Sequence, residues 1–430
     1  MRFKYNILAA LQVLFSLLFY FQLASTFGAT SQSDSFLVSF SIITAVQLLQ
    51  LMFVEQSLFF YQQNKSESEY KAKTFYLNAL GFSVLVGFFF YVIFYILSDK
   101  FVELYLVFGK GGDTELMKNI FFYFCLGLLV YPATYVNDRV LNAEGKFSLP
   151  YISETLPYVS MFLYFLYFKI ANKVPDIHDV AISRVVGMAG GLLVTSSVLI
   201  KNGFFKYKYI KLEVDFLTFV RNSFMMRLSH NINNFGVNFI VNSFLISLPE
   251  GFASIYHYAF KGVTIIKQII VGPLYRVFQT ELTEILYSKK FENIRDLTGG
   301  FEKKSIILYV VLLVVSWFLI EPVLNFIMPL KFESVVIRNI SIYFLMIGCW
   351  HAFMVAELSK ITLYMAIKDF KVFLLANTFI VTALFLVTYF FEITLTEFVI
   401  TNIVLQACSY FYYLMLFDRK LQQYAHRNTN

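Results

Sequence analysis

The sequence predicts an all-α polytopic membrane protein of about twelve transmembrane helices, in two pseudo-symmetric six-helix bundles around a central cavity. Three observations predict it. Of 430 residues, 58% are hydrophobic and only 15% charged, where a soluble domain averages about 45–50% and about 25%. Apolar stretches of about 20 residues, the length that spans a bilayer as a helix, recur along the whole chain. The alternating segments of about ten residues that mark a membrane β-barrel are absent from the sequence.

The apolar runs fall near 7–27, 36–61, 74–97, 119–137, 149–168 and 181–200 in the first half. In the second half they fall near 216–246, 252–276, 302–325, 339–358, 371–390 and 395–416. The first follows Arg2 and Lys4 and is longer than the apolar core of a signal peptide, so it reads as a retained helix. The fourth is the least distinct, because Pro132 and Asn137 interrupt its end.

Loop charge sets the orientation. Most loop Lys and Arg lie on the side of the N-terminus, and the loops at 28–35, 247–251 and 391–397 hold none. By the positive-inside rule both termini are cytoplasmic. The loop at 98–118 is mixed, its lysines balanced by Asp99, Glu103, Asp113 and Glu115. The net charge of +7 is carried mostly between the spans, so the expected surface partner is the lipid bilayer and not nucleic acid.

The halves repeat loosely: each opens with a hairpin whose outer loop lacks Lys and Arg, followed by a basic inner loop. An even number of spans per half gives parallel repeats related by an axis along the membrane normal. The expected organisation is residues 1–200 as an N-terminal bundle, 201–214 as a basic cytoplasmic linker, and 215–430 as a C-terminal bundle with a short tail.

Two polar stripes stand out. Ser254, His257, Lys261, Thr264 and Gln268 recur at three- and four-residue spacing through the eighth run, and so share one helix face. Ser223, Arg227, Asn231, Asn234 and Asn238 do the same in the seventh. Ionisable residues inside spans are costly and usually face a bundle interior or a wet cavity, so these faces suggest an internal site for an anionic, hydroxyl-rich substrate. Lys261 and Arg227 would meet the anion and Asn231, Asn234 and Asn238 sugar hydroxyls, with His257, Gln268 and Asp34 as further candidate substrate-binding residues. Amides equally serve helix–helix bonding, and that alternative stays open. Lys267 lies off the Lys261 face. His230 and His257 are candidates for proton coupling. Asp34 opens the second run, where an acidic residue also serves as a helix cap. Glu55, Glu154 and Glu357 could each hold a coupling cation, and Asp138-Arg139 reads as an interfacial ion pair. Cys125, Cys349 and Cys408 all fall in apolar runs and read as buried hydrophobes.

No phosphate-binding loop of the Walker type is present and no His/Cys spacing suits a metal. The chain therefore reads as a non-enzyme without a cofactor, energised by the membrane potential, H+ or Na+.

Several segments carry a family resemblance. Phe27-Gly-Ala-Thr-Ser-Gln-Ser-Asp-Ser-Phe-Leu-Val-Ser-Phe40 resembles the first hairpin of bacterial lipid II flippases, and Leu141-Asn-Ala-Glu-Gly-Lys-Phe-Ser-Leu-Pro150 their Leu-Asn-Ala-Tyr-Gly-Arg-Phe turn. Tyr258-Ala-Phe-Lys261 is similar to their basic motif in helix eight, and Leu363-Tyr-Met-Ala-Ile-Lys-Asp-Phe-Lys371 to a late turn. Together they resemble the multidrug/oligosaccharidyl-lipid/polysaccharide exporter superfamily. The lipid II flippases carry arginines in helices one and two, where this chain has Phe19, Ser25 and Gln47; the matching site residues that remain are Lys261 and Asp34. With about twelve spans and this charge pattern, the resemblance is nearer to flippases of polysaccharide repeat units. It implies a polyprenyl-diphosphate-linked O-antigen or capsule unit moved by alternating access across the bacterial inner membrane. A polysaccharide polymerase and chain-length machinery would be partners. A lipid II flippase and a cation-coupled multidrug antiporter are the alternatives.

Overall fold

The computed structural model describes residues 2–109, 113–206, 214–287, 291–327, 334–367 and 369–429. Much of the sequence linker, 207–213, and the side chain of His230 lie outside the described residues. Every described element is helical: α1 (Arg2–Phe27), α2 (Ser31–Gln50), α3 (Ser57–Glu67), α4 (Glu69–Ile96), α5 (Ser98–Leu104), α6 (Thr114–Cys125), α7 (Tyr131–Ala143) and α8 (Ser148–Ile170) come first. They are followed by α9 (Ile177–Lys201), α10 (Val214–Ser247), α11 (Phe252–Tyr287), α12 (Asn293–Ile327), α13 (Ser334–Ala366), α14 (Phe370–Phe390) and α15 (Leu395–Thr429).

Eight helices among the described residues are long and apolar enough to cross a membrane; α6 with the turn Leu126–Leu129 that continues it, and α7, bent by 41° at the break between Leu129 and Tyr131, make a ninth if counted together. This is fewer than the sequence count of about twelve, for a physical reason. The remaining long helices carry polar residues within their apolar runs: Glu154 in α8, the asparagines of α10, and Lys261 and Lys267 in α11. The bend has a local cause, because Pro132 stands in the first turn of α7, where its missing N–H is tolerated.

Two compact units form, Met1–Gly251 and Phe252–Asn430. Division by packing thus falls at Gly251, whereas division by sequence repeat falls in the linker at 201–214. Within the first unit α10 lies on α2. The run that becomes α2 is broken after Gln50 by a short turn at Leu51–Phe53, and α3 restarts at Ser57. Ser223 of α10 accepts the backbone N–H of Gln56 at 3.0 Å. Arg227, one turn on, pairs with Glu55 at 2.8 Å, both side chains being largely buried. Asn231 then donates to the Leu48 carbonyl at 3.2 Å, and Asn238 and Asn242 donate to Ser41 Oγ at 2.9 and 3.1 Å. α10 therefore supplies the partners that the broken helix lacks.

Asn137 joins three helices of this unit. It accepts from Tyr76 of α4 at 2.9 Å and donates to Thr195 and Ser196 of α9. α8 and α9 pack closely along Gly187 and Gly191, spaced as small residues are where helix backbones approach in membranes. A Cβ on Gly187 would stand 2.6 Å from the Leu156 carbonyl oxygen, and one on Gly191 3.0 Å from that of Ser153. Pro157 lies inside α8 and removes the N–H that would have bonded the Ser153 carbonyl. Asp176 caps α9 through the His178 N–H at 2.9 Å, and that bond holds its carboxyl below the usual range.

The second unit contains α11 to α15. Tyr309 of α12 donates to the Gly348 carbonyl of α13 at 3.1 Å, and Tyr364 of α13 to the Tyr413 carbonyl of α15 at 3.0 Å.

Two measurements test these contacts. Gly187→Leu should lower the unfolding temperature of the detergent-purified protein clearly, since overpacking costs about 1–3 kcal/mol, while Gly190→Leu should do so far less, because a Cβ there meets only Leu156 at 3.8 Å. Breaking a buried pair from one side costs about 3–5 kcal/mol, so Glu55→Gln and Arg227→Gln should each destabilise more than their combination does. Additive losses in that double-mutant cycle would mean that the pair is not formed.

Candidate functional site

The α10 stripe is largely committed to α2. Ser223 and Asn231 are buried and bond as described, and Asn238 bonds Ser41. Arg227 is neutralised by Glu55, which also accepts from Tyr135 at 2.7 Å, and Arg139 stacks over the Tyr135 ring at 4.4 Å. Asn234 is half-buried beside them. Among the described residues the amide oxygens of Asn231, Asn238 and Asn242 have no hydrogen-bond partner, so each amide turns its donor to α2.

Asp34 does not cap α2 by itself. The Thr30 N–H bonds Ser33 Oγ at 3.0 Å, and Ser33 Oγ bonds the Gly28 carbonyl at 2.9 Å. The Asp34 carboxylate reaches instead to the Gly251 N–H at 2.6 Å, while Glu250 accepts the Ser31 N–H at 2.6 Å. Gly251 has φ +91°, and a Cβ there would stand 2.9 Å from the Ala29 carbonyl oxygen. Only glycine tolerates both conditions. Asp34 thus ties the first hairpin to the turn that follows α10.

On α11 the predicted stripe grades from inside to outside. Ser254 is buried, His257, Lys261 and Thr264 are half-buried, and Gln268 is exposed. Thr264 is occupied by the Lys261 carbonyl at 2.9 Å. His257 Nε2 is buried without a partner. The structure places all five on one helix, with Gln268 at the exposed end.

Of the three glutamates, Glu154 is exposed and accepts from Gln12 at 3.1 Å. Glu55 belongs to the Arg227 pair. Glu357 is buried in the second unit, accepting from Gln406 at 2.6 Å and from Ser409 at 3.0 Å. Trp350 extends this chain by donating to Gln406 at 3.3 Å. Lys267, also half-buried, lies within electrostatic reach of Glu357 and His351. A second cluster, missed in the sequence, pairs Lys360 of α13 with Glu302 of α12, to which Tyr410 also donates at 2.6 Å.

Asp138 and Arg139 do not form the expected ion pair. Asp138 points to Ser153, whose hydroxyl lies 2.8 Å from its carboxylate, because successive residues of a helix face different neighbours. Sequence reasoning also missed Arg184 of α9, which is buried, donates to Gln47 at 3.2 Å and lies 4.2 Å from the centre of the Phe40 ring. Cys125 is buried, while Cys349 and Cys408 are exposed along the helices; all three are free thiols. Among the described residues no group of three or more His, Cys, Asp or Glu could hold a metal ion.

No family model and no curated protein matches the sequence. Solved structures do match, over nearly the whole chain. An inward-facing multidrug resistance MATE family transporter of the MOP superfamily aligns with TM-score 0.77 and 13% identity, covering 96% of each chain. The lipid II flippase MurJ in an inward closed conformation aligns with TM-score 0.76 and 17% identity, over 97% of this chain and 87% of that one. A MOP superfamily transporter from Pyrococcus furiosus Vc1, described as having a binding pocket of reverse polarity that suggests a different function, aligns with TM-score 0.68 and 12% identity, over 97% and 94%. The chain is a multi-pass, all-helical membrane protein with the fold of the MOP superfamily, shared by MATE transporters and the lipid II flippase.

Proposed function

We propose that this protein is a flippase of about twelve spans in the bacterial inner membrane. It would carry a polyprenyl-diphosphate-linked oligosaccharide, an O-antigen or capsule repeat unit, from the inner to the outer leaflet by alternating access, with both termini cytoplasmic. The observation that carries the reading is Lys261. It lies nine residues past Phe252, where α11 begins, so about 14 Å along the helix at 1.5 Å per residue. It is half-buried there, on a face shared with Ser254, His257 and Thr264. A lysine at that depth is hard to bring to water by snorkelling and suits a diphosphate. Arg227 contributes less than its sequence position suggests, because its charge is already met by Glu55.

The diphosphate headgroup cannot cross about 30 Å of hydrocarbon unaided. Outward movement of negative charge follows an inside-negative potential, by about 2.3 kcal/mol per charge per 100 mV. A polysaccharide polymerase and chain-length machinery would act on the delivered unit.

The test is transport of a fluorescent polyprenyl-diphosphate oligosaccharide in proteoliposomes. Lys261→Ala should slow flipping by about tenfold or more, the scale of a lost charge-assisted contact of 1.5–3 kcal/mol; Gln268→Ala, at the exposed end of the stripe, should change it little. Wild-type rates in Lys261→Ala would remove the site. A well-folded wild type that carries lipid II or cationic drugs but no oligosaccharide lipid would replace the reading with one of those two alternatives.

A further inference from the structure

Arg184 is a cation of the first unit whose near neighbours are rings instead of carboxylates. Its side chain is 8% exposed. The guanidinium lies 4.2 Å from the Phe40 ring centre and 5.3 Å from that of Phe124. It donates to Gln47 Oε1 at 3.2 Å, and among the described residues it enters no ion pair. A guanidinium offers five N–H donors in a planar fork matched to phosphate and carboxylate. One of them is used here. Tyr20, Tyr131 and Tyr158, all half-buried, lie within electrostatic reach of it.

Three acidic residues of this unit are engaged elsewhere, Glu55 with Arg227, Asp138 with Ser153 and Asp34 with the Gly251 N–H, and no carboxylate is among the groups that act on Arg184. Arg184 is also eight residues past the cap Asp176, about 12 Å along the helix. A buried charge without a counter-ion is costly and is retained in membranes mainly where something passes or binds. Phe40 and Phe124 hold the guanidinium from one side, and Gln47 fixes its rotation, which leaves the other donors pre-set.

We propose that Arg184, positioned by Gln47 and flanked by Tyr20, Tyr131 and Tyr158, binds an oxyanion-bearing glycan headgroup in the first unit. The guanidinium fork takes a phosphate or carboxylate, and the tyrosine rings take the face of the adjoining sugar. The proposal rests on the flippase reading for the class of ligand, but it concerns a different helix and a different unit from Lys261. The oxyanion is either the diphosphate of the lipid carrier or the carboxylate of an acidic sugar.

The full-length protein in nanodiscs would be tested by native mass spectrometry against undecaprenyl diphosphate, decyl glucuronide and, as the neutral control, decyl glucoside. Arg184→Gln should weaken at least one acidic ligand about 10- to 100-fold, with Arg184→Lys intermediate and decyl glucoside unaffected. Loss for undecaprenyl diphosphate alone assigns the carrier phosphate; loss for the glucuronide alone assigns a sugar carboxylate. Equal binding of both by wild type and Arg184→Gln, or no binding of either by wild type, overturns the site. Should Arg184→Gln fail to fold, a diazirine-bearing decyl glucuronide and a diazirine-bearing undecaprenyl diphosphate applied to wild type must label the segments around Tyr158 or Arg184; labelling only elsewhere overturns it equally. Flipping and binding unchanged in Arg184→Gln would sink this site and keep the flippase, whereas Arg184-dependent binding without oligosaccharide-lipid transport by wild type would sink the flippase and keep the site.

Discussion

A hydrogen-bonding group inside a bilayer has no water to turn to, so it must find its partner on another helix. The first unit is arranged by that constraint. The break between α2 and α3 exposes the Gln56 N–H and the Glu55 carboxylate, which would be intolerable against lipid. α10 answers with Ser223 and Arg227 one turn apart, and continues with Asn231, Asn238 and Asn242 along the intact part of α2. The seam explains why α10 packs with the first unit although it follows the basic linker. Asn137 acts similarly at a smaller scale, filling its amide from α4 and α9 at once.

The same constraint sorts polar residues into those committed to the fold and those left for a ligand. A spanning charge that already has a counter-charge adds little field at a distance, because the pair is a dipole. Arg227 with Glu55 is such a pair, and so is Lys360 with Glu302. Arg184 is different in kind, since aromatic faces stabilise its positive charge without cancelling it. Glu357 is the converse in the second unit, an acidic group held by two neutral donors with Lys267 within reach.

How much of this could be read in the sequence depended on whether its cause was local. The apolar runs, the bend at Pro132 and the stripes at three- and four-residue spacing arise from neighbours in the chain, and each maps onto helices in the structure. The Gly187 and Gly191 pair was equally visible and marks the close approach of α8. The break after Gln50 was not, because Leu51-Met-Phe-Val-Glu-Gln56 contains no Gly or Pro; its stability comes from α10, more than 160 residues away. Stripe periodicity revealed which residues share a face but not what the face meets, so the same pattern in α10 and α11 led to packing in one and to a half-exposed lysine in the other. Arg184 gave no periodic signal at all: Val180, Ala181, Gly187 and Met188 surround it on α9, and its polar neighbours come from α1, α2, α7 and α8.

A shared fold carries multidrug transporters and a lipid flippase, so substrate choice lies in the sign and placement of a few internal groups. At low effective dielectric an uncancelled charge acts over a longer range than it would in water. In the site proposed around it, Arg184 would therefore disfavour a cationic ligand entering beside Tyr20 and Tyr158. An anionic headgroup meets the reverse balance. In that proposed site its phosphate or carboxylate would replace the water that a buried guanidinium has lost, and the adjoining sugar would gain a ring face. Such a site would be selective by exclusion as much as by attraction, which is how few charged residues can separate ligands of opposite sign.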